Sequence, residues 1–257
     1  MRRTTTTVAL AVAAALTLVS CGDAEQPTDD PVSPPATSDQ AECGTRSPLT
    51  LTDSGWSALP GADNHVPISF AAVVTNDGDD TEGVAHNGTV TVRFLDDAGE
   101  EITDGTNPGQ QVFDLAAVHP GEVRAVSGLA LLTEEPATME VEFPGACLIA
   151  DQRLPIGEVT VTDVAVSNDA GELTVDLEID STLDEDVTGY PILVFRGTDS
   201  QIAGGGPYPG MSGLLPALGT IPPGQSAQQV VVNATDFLPD DPAVDLDATA
   251  VHILRAA

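Results

Sequence analysis

Lysine is absent. All eight basic residues of the 257-residue chain are arginine, set against 40 aspartates and glutamates, for a formal charge of −32. Arg2 and Arg3 lie at the extreme N-terminus, so the remainder is more acidic still. Such a surface repels phosphate backbones, which excludes nucleic acid as a partner, and it repels anionic lipid headgroups as well. Two origins fit this acidity: a high-GC genome combined with adaptation to salt, or a surface that steers cations. Helical periodicity is also missing, because past the first twenty residues no window of a dozen carries a 3.6-residue apolar period. The four histidines, His65, His86, His119 and His252, stand apart without a His-x-x-x-His spacing, so nothing points to a transition-metal site. Hydrophobic residues make up 41%, enough that the charge does not imply an unfolded chain.

Cysteines number only three, and their placement is informative. Leu18-Val19-Ser20-Cys21 follows Arg2, Arg3 and an apolar run from Val8 to Val19, which is too short for a permanent membrane span. This is the lipobox pattern of a bacterial lipoprotein. It predicts a signal peptide over residues 1–20, removed so that the Cys21 thiol carries a diacylglyceryl group. The chain is then expected on the extracytoplasmic face of the cell membrane, attached through that lipid. Cys43 and Cys147 remain as a pair in an oxidising compartment. They read as a disulfide closing the first folded segment, worth about 4–5 kcal/mol for a loop of roughly 100 residues; two free buried thiols are the alternative.

Residues 21–42 are rich in Asp, Pro, Ser and Thr and read as a disordered, lipid-anchored tether. Strand patterns follow. Ile68, Phe70, Ala72 and Val74 alternate with other residues, as do Val90, Val92 and Phe94, and then Met139, Val141 and Phe143. Leu173, Val175, Leu177 and Ile179, spaced by Thr174, Asp176 and Glu178, form the cleanest amphipathic strand. Period two with polar partners predicts half-buried strands, and Asp96-Asp97-Ala98-Gly99 is turn chemistry. The expected class is all-β.

The second half reads as a divergent copy of the first. Each half has a strand centred on a Phe (Phe94, Phe195), then a Pro-Gly turn (Pro120-Gly121, Pro223-Gly224), the Phe-to-Pro intervals being 26 and 28 positions. Short strands in two copies of about 100 residues suggest tandem antiparallel β-sandwiches, at 43–150 and 156–257. Val92-Arg93-Phe94-Leu95-Asp96-Asp97-Ala98-Gly99, followed by Pro120-Gly121-Glu122, resembles the immunoglobulin-like domains of bacterial envelope lipoproteins marked by a Phe-x-Leu-Tyr-Asp motif. No Tyr follows Leu95, and Phe195-Arg196-Gly197-Thr198-Asp199 keeps only the Phe and a later Asp. The resemblance implies two-sheet sandwiches, an envelope location and no enzymatic activity. Residue usage points to a high-GC Gram-positive producer.

Chemistry is sparse. Asn76-Asp77-Gly78-Asp79-Asp80-Thr81-Glu82 offers hard oxygen ligands. Asp77, Asp79 and Glu82 are therefore candidates for weak calcium binding, the alternative being a solvated hairpin turn. No other cofactor is expected. From Thr198 to Pro216 the sequence reads as a long irregular loop; Tyr208, Met211 and Leu214 either fold back over the sheet edge or present a partner-binding surface. Gly204-Gly205-Gly206 lacks a following helix and so cannot cradle a phosphate. Trp56 is expected to pack under the first half or to form an exposed aromatic contact, and His252, between Val251 and Ile253, to face solvent. The expected role is non-catalytic: a binding or scaffolding module at the cell envelope, with another envelope protein as partner. Calcium or small-ligand capture at the acidic turns is the alternative.

Overall fold

The computed structural model describes residues 49–61, 65–78, 84–86, 88–103, 110–115, 118, 120–143, 147–149, 158–169, 172–206, 218–233, 238 and 244–255. The expected signal peptide, Cys21 and the expected tether lie outside this set. Among the described residues every regular element is a β-strand and every pairing is antiparallel. Period-two patterning and Gly/Pro/Asx punctuation specify this outcome together.

In the first half, β1 (Leu49–Ala58), β2 (Val66–Asn76) and β6 (Val123–Leu132) form one sheet in the order β1-β2-β6. A second sheet has the order β5-β4-β7, from β4 (Gly88–Leu95), β5 (Gln111–Leu115) and β7 (Thr138–Glu142). The short β3 (Val84–His86) pairs with β8 (Cys147–Ile149). Ile68, Phe70, Ala72 and Val74 of β2 share one buried core with Val90, Val92 and Phe94 of β4. At its centre the Phe70 ring meets Phe94 and Phe113 edge-on, at centroid distances of 5.3 and 5.8 Å. Such pairs add roughly 0.5–1.5 kcal/mol each beyond area burial. Gly128 makes room for them, since a Cβ there would lie 2.8 Å from Phe70 Cζ. Trp56 is partly buried and packs against this same core.

The second half repeats the plan. Strands β9 (Val159–Asp169), β10 (Glu172–Ser181) and β14 (Gly224–Asn233) form a sheet in the order β9-β10-β14. Facing it, β11 (Val187–Gly197) pairs with β12 (Ile202–Gly206) and β13 (Leu218–Ile221) on one side and β15 (Val244–Arg255) on the other. Leu173, Val175, Leu177 and Ile179 of β10 meet Leu193 and Phe195 of β11 in a second core. Strand order and connection order match between halves: β2 corresponds to β10, β4 to β11 and β6 to β14. Phe94 and Phe195 are both fully buried. The Pro-Gly turns are equivalent too, with Gly121 and Gly224 at φ 77° and 78° just before β6 and at the start of β14. That left-handed conformation favours glycine.

Two expectations about local structure are overturned. The segment from Thr198 is not irregular throughout: a tight turn returns the chain as β12, so Gly204-Gly205-Gly206 is strand rather than loop. Strand β2 is also not half-buried, and β11 shares this full burial. Every residue of β2 from Ile68 to Val74 is buried, and so is Ile192–Phe195 of β11. Their unbroken apolar runs, Phe70–Val74 and Pro191–Phe195, carry the signature of strands covered on both faces.

Candidate functional site

What covers those second faces is the other half of the molecule. Residues 41–257 form one compact unit, in which the β1-β2-β6 sheet lies against the β12-β11-β15 sheet. Ala71, Val73 and Ala125 of the first half meet Ile192, Val194 and Ile202 of the second in a third buried cluster, flanked by Ala250 and Leu254. Small residues set the approach. A Cβ on Gly205 would fall 2.8 Å from the Cβ atoms of both Ala71 and Ser127, and one on Gly204 only 2.5 Å from Ser69 Oγ. Glycines in β12 thus let its backbone pass directly over the neighbouring sheet.

Polar contacts fix the register of this seam. Ser69 Oγ donates to the Gly205 carbonyl and accepts from the Gly205 N–H, both at 3.1 Å. Arg196 Nη1 donates to Asp53 Oδ2 at 2.7 Å and to the Ser200 carbonyl at 2.8 Å. Asp53 reaches Arg196 because β1 carries a bulge between Leu51 and Asp53. Before the bulge Leu51 pairs with Val74 on the core side; after it Asp53 pairs with Val73, whose side chain belongs to the seam. One extra residue therefore turns a carboxylate from the core face to the contact face. At the far rim Arg124 pairs with Glu122, their side chains 6% and 9% exposed, and Arg124 Nη1 also donates to the Ile253 carbonyl. Two of the four described arginines thus sit at this junction.

A cleft of about 320 Å³ opens beside that rim. Glu122 just before β6, Arg124 in β6, Glu158 and Thr160 at the start of β9, and His252 from β15 line it. His252 is half-buried, not solvent-facing as its alternation with Val251 and Ile253 suggests. Val251 and Ile253 belong to the second core, which leaves His252 on the face shared with Ala250 and Leu254, the face that the first half covers. Desolvation and, next, the Arg124 charge lower its pKa from 6.5 to about 4; a backbone hydrogen bond with Val123 opposes them, and Arg196 adds to the lowering. The imidazole is therefore neutral at neutral pH.

Of the candidate site residues singled out from the sequence, Asp77 and the backbone of Cys147 are described, and neither lines this cleft. Cys21, Cys43, Asp79, Glu82, Tyr208, Met211 and Leu214 lie outside the described residues. Cys147 opens β8 opposite His86, and its side chain is likewise outside them. Asp77 is exposed just after β2. Its neighbour Asn76 is fully buried: its Nδ2 donates to the Val118 carbonyl at 2.8 Å, and its Oδ1 accepts from Gly78 N–H at 2.9 Å. That amide is occupied in holding the turn. Among the described residues no three His, Cys, Asp or Glu side chains converge on a metal position. The seam residues Ser69, Asp53 and Arg196 escaped sequence reasoning, although the Gly204–Gly206 run was a usable signal of close backbone approach. No protein-family model matches the chain, and no curated protein matches it.

Proposed function

We propose that the chain is a non-catalytic lipoprotein: two tandem immunoglobulin-like β-sandwiches, lipid-anchored through Cys21 on the extracytoplasmic face of the cell membrane, serving as a binding or scaffolding module. The observation that carries this reading is the apolar seam between the halves. A scaffold has to hold a fixed shape, and inter-domain contacts that are large and apolar suppress relative motion. Here Ala71, Val73, Ala125, Ile192, Val194 and Ile202 are all buried between the halves. The polar groups of the adjoining cleft support the same reading: Glu122 and Arg124 are spent on each other and on the Ile253 carbonyl, an arrangement that fastens sheets together.

Feeding a bacterial host that expresses the full chain with an alkyne-bearing fatty acid tests the anchor. Label is expected in the native protein in the membrane fraction, and in Cys21→Ala neither label nor membrane retention. An unlabelled native protein in the soluble fraction would overturn the anchored reading. Crosslinking on intact cells would then identify the envelope protein held by the module.

A further inference from the structure

We propose that the cleft at the rim of the seam takes up an extended, basic peptide segment of another protein, which pairs with the free edge of β9 as an added strand. That class of partner presupposes the binding-module reading and is independent of the lipid anchor.

Three sheets end at this cleft. Strand β6 is the outer strand of β1-β2-β6, β9 is the outer strand of β9-β10-β14, and among the described residues β15 pairs with β11 alone. All three line the cleft. An outer strand carries a row of main-chain donors and acceptors that its own sheet does not use, a template for pairing with a second chain. Register identifies the relevant groups of β9. The Thr182 N–H donates to the Glu158 carbonyl at 2.9 Å, so the main chain of Glu158 faces β10. Alternation along an antiparallel pair then turns the N–H and C=O of Val159 and Val161, opposite Ser181 and Ile179, to the other edge. Both residues line the cleft.

The walls and the charge suit one kind of occupant. Val159 and Val161 of β9, Val251 and Ile253 of β15 and Val123 of β6 supply apolar sides. The volume of about 320 Å³ is at the lower end for ligand clefts, room for a short stretch of strand and not for a folded domain. Its charged lining is two carboxylates and one guanidinium. Arg124 is engaged by Glu122 and by the Ile253 carbonyl, and the neutral His252 imidazole adds no positive charge. The exposed carboxylate of Glu158, beside the free edge, is therefore the charge that an incoming segment meets. With −32 on the whole chain, the field draws a cationic segment in and turns an acidic one away, a second copy of this chain included.

Nuclear magnetic resonance of the full chain at physiological salt, titrated with a short blocked peptide of alternating valine and arginine, tests the proposal. Slowed hydrogen exchange at the Val159 and Val161 amides is expected, with shifts confined to β6, β9 and β15. Val161→Pro removes an N–H that β10 does not use, a change that outer strands tolerate. It is expected to weaken binding about tenfold, and Glu158→Gln to weaken it roughly two- to fivefold. Should the proline variant fail to fold, N-methylation of alternate peptide groups decides, since it leaves the protein untouched. Loss of binding on methylation upholds strand addition. Equal binding of the methylated peptide would overturn it, as would equal binding of a valine–glutamate peptide, protection at a different strand edge, or no binding at all. Crosslinking on intact cells separates this failure from that of the binding module. A captured partner attached away from the cleft sinks strand addition and leaves the module standing, whereas the absence of any partner removes both.

Discussion

Arg196 on β11 donates to the carboxylate of Asp53 on β1 at 2.7 Å, across 143 positions of sequence and from one half of the molecule to the other. Both side chains are only about a third exposed or less, 27% and 30%. Screening by water and salt therefore limits what the pair contributes. Arg196→Ala is expected to lower unfolding free energy by about 1 kcal/mol, with part of the effect disappearing in high salt. Urea unfolding of both single variants and the double variant, in low and high salt, measures the coupling directly.

Gly205 is one of the close approaches of the seam. Its missing side chain leaves Ala71, Ser127 and the Leu193 carbonyl where a Cβ would need 2.8 Å clearances. Gly205→Val is expected to cost roughly 1–3 kcal/mol by overpacking and to loosen the contact of the two sheets. Thermal unfolding reads the first effect, and enhanced hydrogen exchange in β2 and β11 reads the second.

Ser200 adopts φ 67° in the β11–β12 turn, the only non-glycine with positive φ among the described residues. Its N–H still closes the turn onto the Gly197 carbonyl at 2.9 Å. Ser200→Gly keeps that bond and relieves the side-chain clash of the left-handed region, against a greater loss of backbone entropy. A net gain of about 0.5–1 kcal/mol is expected in a urea melt.

Asn76 holds the Pro120-Gly121 turn through its side chain and through backbone bonds with Gly121 and Glu122. Asn76→Ala removes the donor to the Val118 carbonyl and is expected to cost about 1–3 kcal/mol. Because this amide is already engaged, calcium at Asp77, Asp79 and Glu82 would lack one of the oxygens that the sequence offers. Equal melting temperatures in millimolar calcium and in excess chelator are the expected result. A calcium-specific rise would support the cation reading instead.

How far the sequence led depended on the range of the cause. Strand β10 was legible residue by residue, because one face meets its own core and the other meets water, which writes alternation into the chain. The paired Phe residues and Pro-Gly turns likewise disclosed the shared plan, since turn conformation is a local property. His252 was misplaced for the opposite reason: alternation identifies the face it occupies, but only a partner sheet more than a hundred positions away covers that face. The same long-range partner explains why β2 looked half-buried, and why a glycine run that permits two backbones to touch looked like an unstructured loop. The seam, and with it the cleft, belongs to the pairing of the halves and to neither one.

The two copies do not meet through equivalent sheets. The first offers β1-β2-β6, and the second offers the counterpart of β5-β4-β7. Contacts of that head-to-tail kind leave a donor surface at one end and an acceptor surface at the other, and in principle the stack can grow without closing. The outer ends of this stack differ from its middle in one respect. Where β2 presents Ser69, Ala71 and Val73 to its neighbour, the corresponding β10 presents Glu172, Asp176, Glu178 and Asp180 to solvent, and the outward side of the β5-β4-β7 sheet carries Arg93, Glu140 and Glu142. Carboxylates on both outward faces are expected to repel a third layer. Replacing the outward acids of β10 by alanine is expected to yield concentration-dependent oligomers in size-exclusion chromatography; a strictly monomeric variant would show that the stack is ended by shape alone.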